Sequence, residues 1–370
     1  ATSIPTRMEQ LCIELYELGF IELDDVRILQ MWLSTLDEIG YDFYSLDRRQ
    51  LDHTVLLGQF NFPSPVKDIV FWYQTWRTWF KRVVIRGPFG LETINTLRSH
   101  GIDAYQGRGD RGFYSPLENL MLTLQDYKSN EEVKGVLYVH DDMLINITKL
   151  PLGENEMIAT FRDVSNPRMG YTDPKIREHH AKNSYTIHAN GTFSKVDGFF
   201  ANNTEDLVKS LATWRWHDCL PQFIKVAEDP RSFKYKENDG SFLIPPRGQA
   251  DFFYVPTFVA DEFAEAARLL LDHNVFLECS FPKVADMLQQ TRNINTTRAI
   301  LCSRWPWNSP TRGTPEMLKQ CNLPVDAVHP FKVRRQGHAT WSEAFRWVTT
   351  SNEQFVVDDT LPVNATQMSY

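Results

Sequence analysis

The stretch Gly135-Val136-Leu137-Tyr138-Val139-His140-Asp141-Asp142 decides how this chain is read. An apolar run of this kind is what a strand buried on both faces needs, and such strands belong to parallel sheets covered by helices. Two carboxylates follow at the strand's end. Adjacent acids repel each other, and holding them partly out of water is unfavourable unless a cation or strong donors offset the charge. A divalent cation does this well. Hard ions such as Mg²⁺ and Mn²⁺ take carboxylate and phosphate oxygens and bridge a nucleotide diphosphate to protein. The same two acids would also suit a solvated turn.

Working outward, Val83-Val84-Ile85 reads as a short buried strand ending at Arg86-Gly87-Pro88. Leu91, Ile94 and Leu97 then keep helical spacing up to Gly101. Ile102 to Tyr105 is a second strand, followed by the glycine- and arginine-rich stretch from Gln106 to Gly112, which reads as an exposed, mobile loop. Ser115-Pro116-Leu117-Glu118 is a helix start with a capping box, and Leu117, Leu120, Met121 and Leu124 form its buried stripe. Repeated strand and helix order predicts an α/β fold with a mostly parallel, Rossmann-like sheet flanked by helices. Such sheets place ligands beyond the carboxyl ends of their strands, where the acidic pair lies.

The first sixty residues read as two helices and a connection, with Leu11, Leu15 and Leu18 on one stripe and Val26, Leu29, Trp32 and Leu33 on another. The aromatic cluster Phe71-Trp72-Tyr73, Trp76, Trp79 and Phe80 has helical spacing and reads as core packing. The chain therefore divides into an N-terminal helical segment over 1–80, a βαβ half over 81–150, a second half over 151–340 and a tail over 341–370.

With 370 residues, 42 % of them hydrophobic, the chain can bury one large core or two joined ones. Its net charge of -8 comes with both signs interspersed, so composition offers neither a basic face for nucleic acid nor a polybasic arm for anionic lipid. No apolar run has membrane-spanning length, and Ala1 opens without a leader pattern; any membrane attachment is expected through a segment absent from this chain. Five N-x-S/T sequons, at Asn146, Asn190, Asn202, Asn295 and Asn364, favour a secretory-pathway lumen, in the Golgi or endoplasmic reticulum. The five cysteines show no C-x-x-C spacing; Cys302 and Cys321, which bracket a loop rich in Pro, Trp and Arg, are the preferred disulfide.

The βα units leading into an apolar strand and then an acidic cluster resemble the GT-A class of glycosyltransferases, whose cluster is the DxD motif. Here it reads His140-Asp141-Asp142, similar to the Glu-Asp-Asp and Asp-Asp-Asp variants but without the first acid. The resemblance spans about residues 81 to 338. It implies a metal-dependent transferase, the catalytic domain of a type II membrane protein, moving a sugar from a nucleotide-sugar, a UDP-sugar first of all, to a glycan or glycoprotein acceptor with Mn²⁺ or Mg²⁺. Asp142 is then the direct metal ligand, and Asp141 assists at the nucleotide. Arg86 and Gly87, at the end of their strand, are further nucleotide-side candidates. A late histidine often returns to the metal in this class, which points to His329, with the cations Lys332, Arg334 and Arg335 just after it available to the diphosphate. On the acceptor side, a strand over 248–256 and a helix through Phe263, Ala266, Ala267 and Leu270 precede Glu278, near a further helix start. Glu278 and Asp251 are the candidate catalytic acids.

Other readings stay open. A catalytically silent GT-A-like domain that binds glycan or protein is suggested by His140 at the place of an acid. A metal-dependent nucleotidyltransferase would share the nucleotide half but lacks a Gly-rich phosphate loop with its lysine. Arg108-Gly109-Asp110 reads as a chance tripeptide, and His179, His180 and His188 fit no zinc spacing.

Overall fold

Seven strands make the central sheet of the computed structural model, which describes residues 51–77, 79–107, 115–147, 150, 152, 156–160, 185–195, 200–201, 219–244, 249–299, 301–302, 327–328, 341, 344–345 and 348. The first four are β1 (Thr54–Gln59), β2 (Arg82–Gly87), β3 (Asp103–Gln106) and β4 (Gly135–His140). Three more, β6 (Glu156–Thr160), β11 (Gln249–Pro256) and β12 (Asn295–Ala299), come from the second half of the chain. Their order is β12-β6-β11-β4-β1-β2-β3. β1 runs parallel to both β2 and β4, β2 to β3, and β12 to β6; β11 alone runs antiparallel to its two neighbours, β4 and β6.

The element that differs most from the sequence reading is β1. Residues 54–59 fall in the segment read as two helices and a connection, with no strand expected there, yet they form the strand between β2 and β4 and pair with both. All six residues are buried. A short strand covered on both faces carries no alternation, so periodicity gives it no signature. Residues 1–50, including both leucine stripes, lie outside the described residues.

Helices cover both faces, because successive side chains on each buried strand point to opposite sides. Leu56, Val83, Ile85, Leu137 and Val139 join one core; Val55, Leu57, Val84, Val136 and Tyr138 join the other. The first core is closed by α1 (Val66–Arg77), α2 (Leu91–Ser99) and by Trp341, Ala344, Phe345 and Val348. As the aromatic spacing predicts, Phe71, Trp72, Tyr73 and Trp76 are buried on α1. A Cβ on Gly58 would come within 2.5 Å of the Trp72 ring, so α1 docks on β1 only because residue 58 has no side chain.

The second core is closed by α3 (Ser115–Tyr127), α4 (Leu220–Glu228), α5 (Ala260–Asp272) and α6 (Leu277–Arg292). Leu117, Leu120, Met121 and Leu124 on α3, and Phe263, Ala266, Ala267 and Leu270 on α5, are all buried, as their spacing predicts. Lys283, fully buried on α6, is satisfied by the carbonyl of Leu243 and the carboxylate of Asp286, each at 2.6 Å, and lies over the Phe242 ring.

Two smaller sheets complete the framework. β7 (Tyr185–Ile187), β8 (Phe193–Lys195), β9 (Phe200–Ala201) and β10 (Phe242–Ile244) pair in the order β10-β7-β8-β9. β5 (Leu144–Ile145) pairs antiparallel with β14 (Ala327–Val328), which pairs with β13 (Leu301–Cys302). A disulfide joins Cys219, just before α4, to Cys279 in the first turn of α6, with Cα atoms 6.5 Å apart. It is not the pair that spacing suggested; Cys321 lies outside the described residues. Among the described residues, no helix is long and apolar enough to cross a membrane.

Candidate active site

Strand order reverses at β1: the chain moves to one side through β2 and β3, then returns to the other side with β4. The carboxyl ends of β1 and β4 therefore border the crevice where an open α/β sheet binds ligands. β4 ends in a tight turn closed by Met143 N–H donating to the His140 carbonyl at 3.1 Å, so Asp141 and Asp142 are its two central residues. The Asp141 N–H donates to the Gln59 carbonyl at 2.9 Å and ties the turn to the end of β1. Asn119 on α3 donates to the Gln59 side chain at 2.8 Å, fixing that corner.

The antiparallel entry of β11 brings a third acid. Phe252 pairs with Val139, so Asp251 arrives beside His140 at the top of the sheet. The His140 Nδ1 lies 3.4 Å from Asp251 Oδ1 and 3.8 Å from Asp142 Oδ1. The Asn61 amide nitrogen approaches the same ring, 3.2 Å from Nδ1. All these groups are largely shielded from solvent; His140 is 4 % exposed and Asp142 5 %.

Beneath them, the Tyr138 ring packs edge-on against His140 and tilted against Phe281 of α6. Its hydroxyl is buried with no hydrogen-bond partner among the described residues. Burial pushes the phenol well above its ordinary range, and the carboxylates of Asp251, Asp142 and Asp141 add to the rise.

Glu278 is in the first turn of α6. Phe281, one turn later, packs on Tyr138 and on Phe253, and the helix then runs down to the start of β12, which is parallel to β6. The α6 N-terminus therefore lies at the same end of the sheet as the acidic turn, and the Cys219–Cys279 bond anchors the residue after Glu278.

Two nucleotide-side candidates make contacts within the chain. Arg86 is buried, and its guanidinium donates to Thr123 and Asp126 of α3, both at 3.0 Å, and stacks over Tyr105. Desolvation lowers its pKa from the ordinary arginine value, and Asp126 opposes that shift. It ties β2 to α3 and is committed there. Gly87 is also buried, and a Cβ on it would meet Phe89 at 2.6 Å and Phe60 at 2.9 Å. Its bare backbone accommodates aromatic rings of this chain. His329, Lys332, Arg334 and Arg335 lie outside the described residues, as do Arg108 to Asp110, His179 and His180. β14, however, ends at Val328 paired with Leu144, two residues after Asp142.

Asn61 and Gln59 escape a sequence reading because β1 does: with no strand expected over 54–59, nothing marks the residues at its end as crevice residues. For a metal, the donor types at the turn fit a hard cation, two carboxylates with an imidazole beside them. Among the described residues no three His, Cys, Asp or Glu side chains converge as a complete metal shell. No family model matches the sequence, and no curated protein matches it.

Proposed function

We propose that the chain is a GT-A type glycosyltransferase that moves a sugar from a nucleotide-sugar, a UDP-sugar first of all, to a glycan or glycoprotein acceptor. The observation that carries this reading is the acidic turn at the strand-order reversal, with Asp141 and Asp142 presented beside the carboxyl end of β1 and Asp251 brought in by β11. In this reading Asp142 holds a Mn²⁺ or Mg²⁺ ion together with the donor diphosphate, and Asp141 orients water or a ribose hydroxyl. The bound ion supplies positive charge against the negative charge that grows on the departing diphosphate. Asp251, which faces the same imidazole as Asp142, belongs to this donor end. Glu278, on the anchored first turn of α6, is then the carboxylate available to take the acceptor hydroxyl's proton, provided the reaction inverts the anomeric centre. The pairing of Val328 with Leu144 supports His329 as a further ligand, and Lys332 and Arg334 remain the proposed cations for the diphosphate. The Golgi or endoplasmic reticulum lumen is the proposed compartment.

One observation favours a second reading. His140 stands between Asp142 and Asp251, where its imidazole offers an internal partner to both acids. A domain built this way could bind glycan or protein without transferring sugar. Incubation with a panel of nucleotide-sugars and Mn²⁺ separates the two: release of free nucleotide from one donor supports transfer chemistry, and glycan binding with every donor left intact supports the silent domain.

A further inference from the structure

We propose that Asn190 is an N-glycan acceptor of this protein and that Asn146, whose sequon is equally good in sequence, is not. The two asparagines differ in structure. Asn146 is fully buried directly after β5. Asn190 is exposed at the tip of the β7–β8 hairpin, where the Gly191 N–H donates to the His188 carbonyl at 2.9 Å and the His188 N–H to the Thr192 carbonyl at 2.8 Å. Gly191 has φ +78°, a left-handed conformation that glycine adopts without strain, so the tip is a defined turn.

Within this turn the Asn190 carboxamide is held in one orientation. The Asn190 Oδ1 accepts from both the Thr192 hydroxyl, at 2.7 Å, and the Thr192 N–H, at 3.1 Å. Both bonds hold the carboxamide by its oxygen, and its Nδ2 has no hydrogen bond among the described residues. The surface beside it, lined by His188, Ala189, Asn190, Thr192 and Asp239, is open. The co-reactant is an oligosaccharide carried on a polyprenyl diphosphate. The Asn190 Nδ2 bonds to the anomeric carbon, the bond from that carbon to the phosphate oxygen breaks, the diphosphate leaves with the electron pair, and the amide proton passes to a base of the host transferase.

The buried Cys219–Cys279 disulfide is an independent observation pointing to the same compartment, because such bonds form and persist in an oxidising lumen. The hairpin belongs to a different sheet from the acidic turn, so this proposal stands whether or not the donor-site reading does.

The test is to direct the full chain into the endoplasmic reticulum of a eukaryotic cell with a leader peptide, release N-glycans enzymatically in heavy-oxygen water and map the labelled sites by peptide mass spectrometry. The label is expected at 190 and not at 146, lost in Thr192→Ala and kept in Thr192→Ser. An unlabelled 190 in chains whose 219–279 disulfide has formed, a label at 146, or a label at 190 that survives Thr192→Ala would each overturn the proposal.

Discussion

The His140 Nδ1 lies 3.4 Å from the Asp251 carboxylate, which joins the end of β4 to the start of β11 across more than a hundred residues of chain. Because the same imidazole also faces Asp142, Asp251 is coupled to the acidic turn, the donor end in the proposed function. Asp251→Asn is therefore expected to weaken metal-supported nucleotide binding. Glu278→Gln is expected to leave that binding near wild type while lowering transfer by about 10²–10⁴, the usual contribution of a general base. Donor affinity measured by calorimetry beside kcat for both variants checks this, and the reverse pattern would exchange the two roles.

Gly58→Ala tests how β1 is seated. The added Cβ would overlap the ring of Trp72, which is rigid and fully buried, so the chain must shift to admit it. Overpacking of this kind costs about 1–3 kcal/mol. Urea denaturation should show a lower midpoint, and a midpoint equal to wild type would mean that α1 is not docked on β1 as described.

The disulfide closes a sequence separation of 60 residues. The chain-entropy relation for a loop of that size gives roughly 4 kcal/mol of stabilisation, from fewer conformations in the unfolded chain. Cys219→Ser with Cys279→Ser should lower the thermal midpoint and, by releasing the first turn of α6, reduce transfer through Glu278 more than donor binding.

Asp229 gives a pH dependence with a definite sign. Arg231 and His273 bond to its carboxylate, Arg231 contributing most, and hold its pKa well below the ordinary carboxylate range. A depressed folded pKa means stability that is present above the unfolded value, about 4, and lost as pH falls below it. Asp229→Asn should therefore be less stable than wild type at neutral pH, with the gap closing in acid. A gap that stays constant down to strongly acidic pH would show that the charge of Asp229 contributes nothing.

The half of the site on β4 was legible because an apolar run ending in two acids is a local pattern. β2, α2, β3, α3 and α5 were legible for the same reason, through spacing and helix-start residues, and α6 only as a further helix near Glu278. β1 was not, since burial on both faces removes its alternation, and Asn61 went unseen with it. Asp251 was marked as a candidate acid, but its neighbour could not be read: the register of Phe252 against Val139 depends on how two distant segments pair. Arg86 and Gly87 were placed at the correct end of a strand. Their roles were decided by Thr123, Asp126, Phe60 and Phe89, which reach them only through packing. Cysteine spacing likewise carries no information about which pair meets.

In the proposed function Asp142 holds a diphosphate through a divalent ion. Titrating UDP into the wild-type chain by calorimetry, in Mn²⁺ and then in chelator, and repeating the experiment with Asp142→Asn and Asp141→Asn, tests it most directly. Binding is predicted in Mn²⁺ alone, lost in Asp142→Asn and weakened less in Asp141→Asn, with thermal unfolding of the variants unchanged. Equal UDP affinity in Mn²⁺ and in chelator, or in wild type and Asp142→Asn, would contradict it.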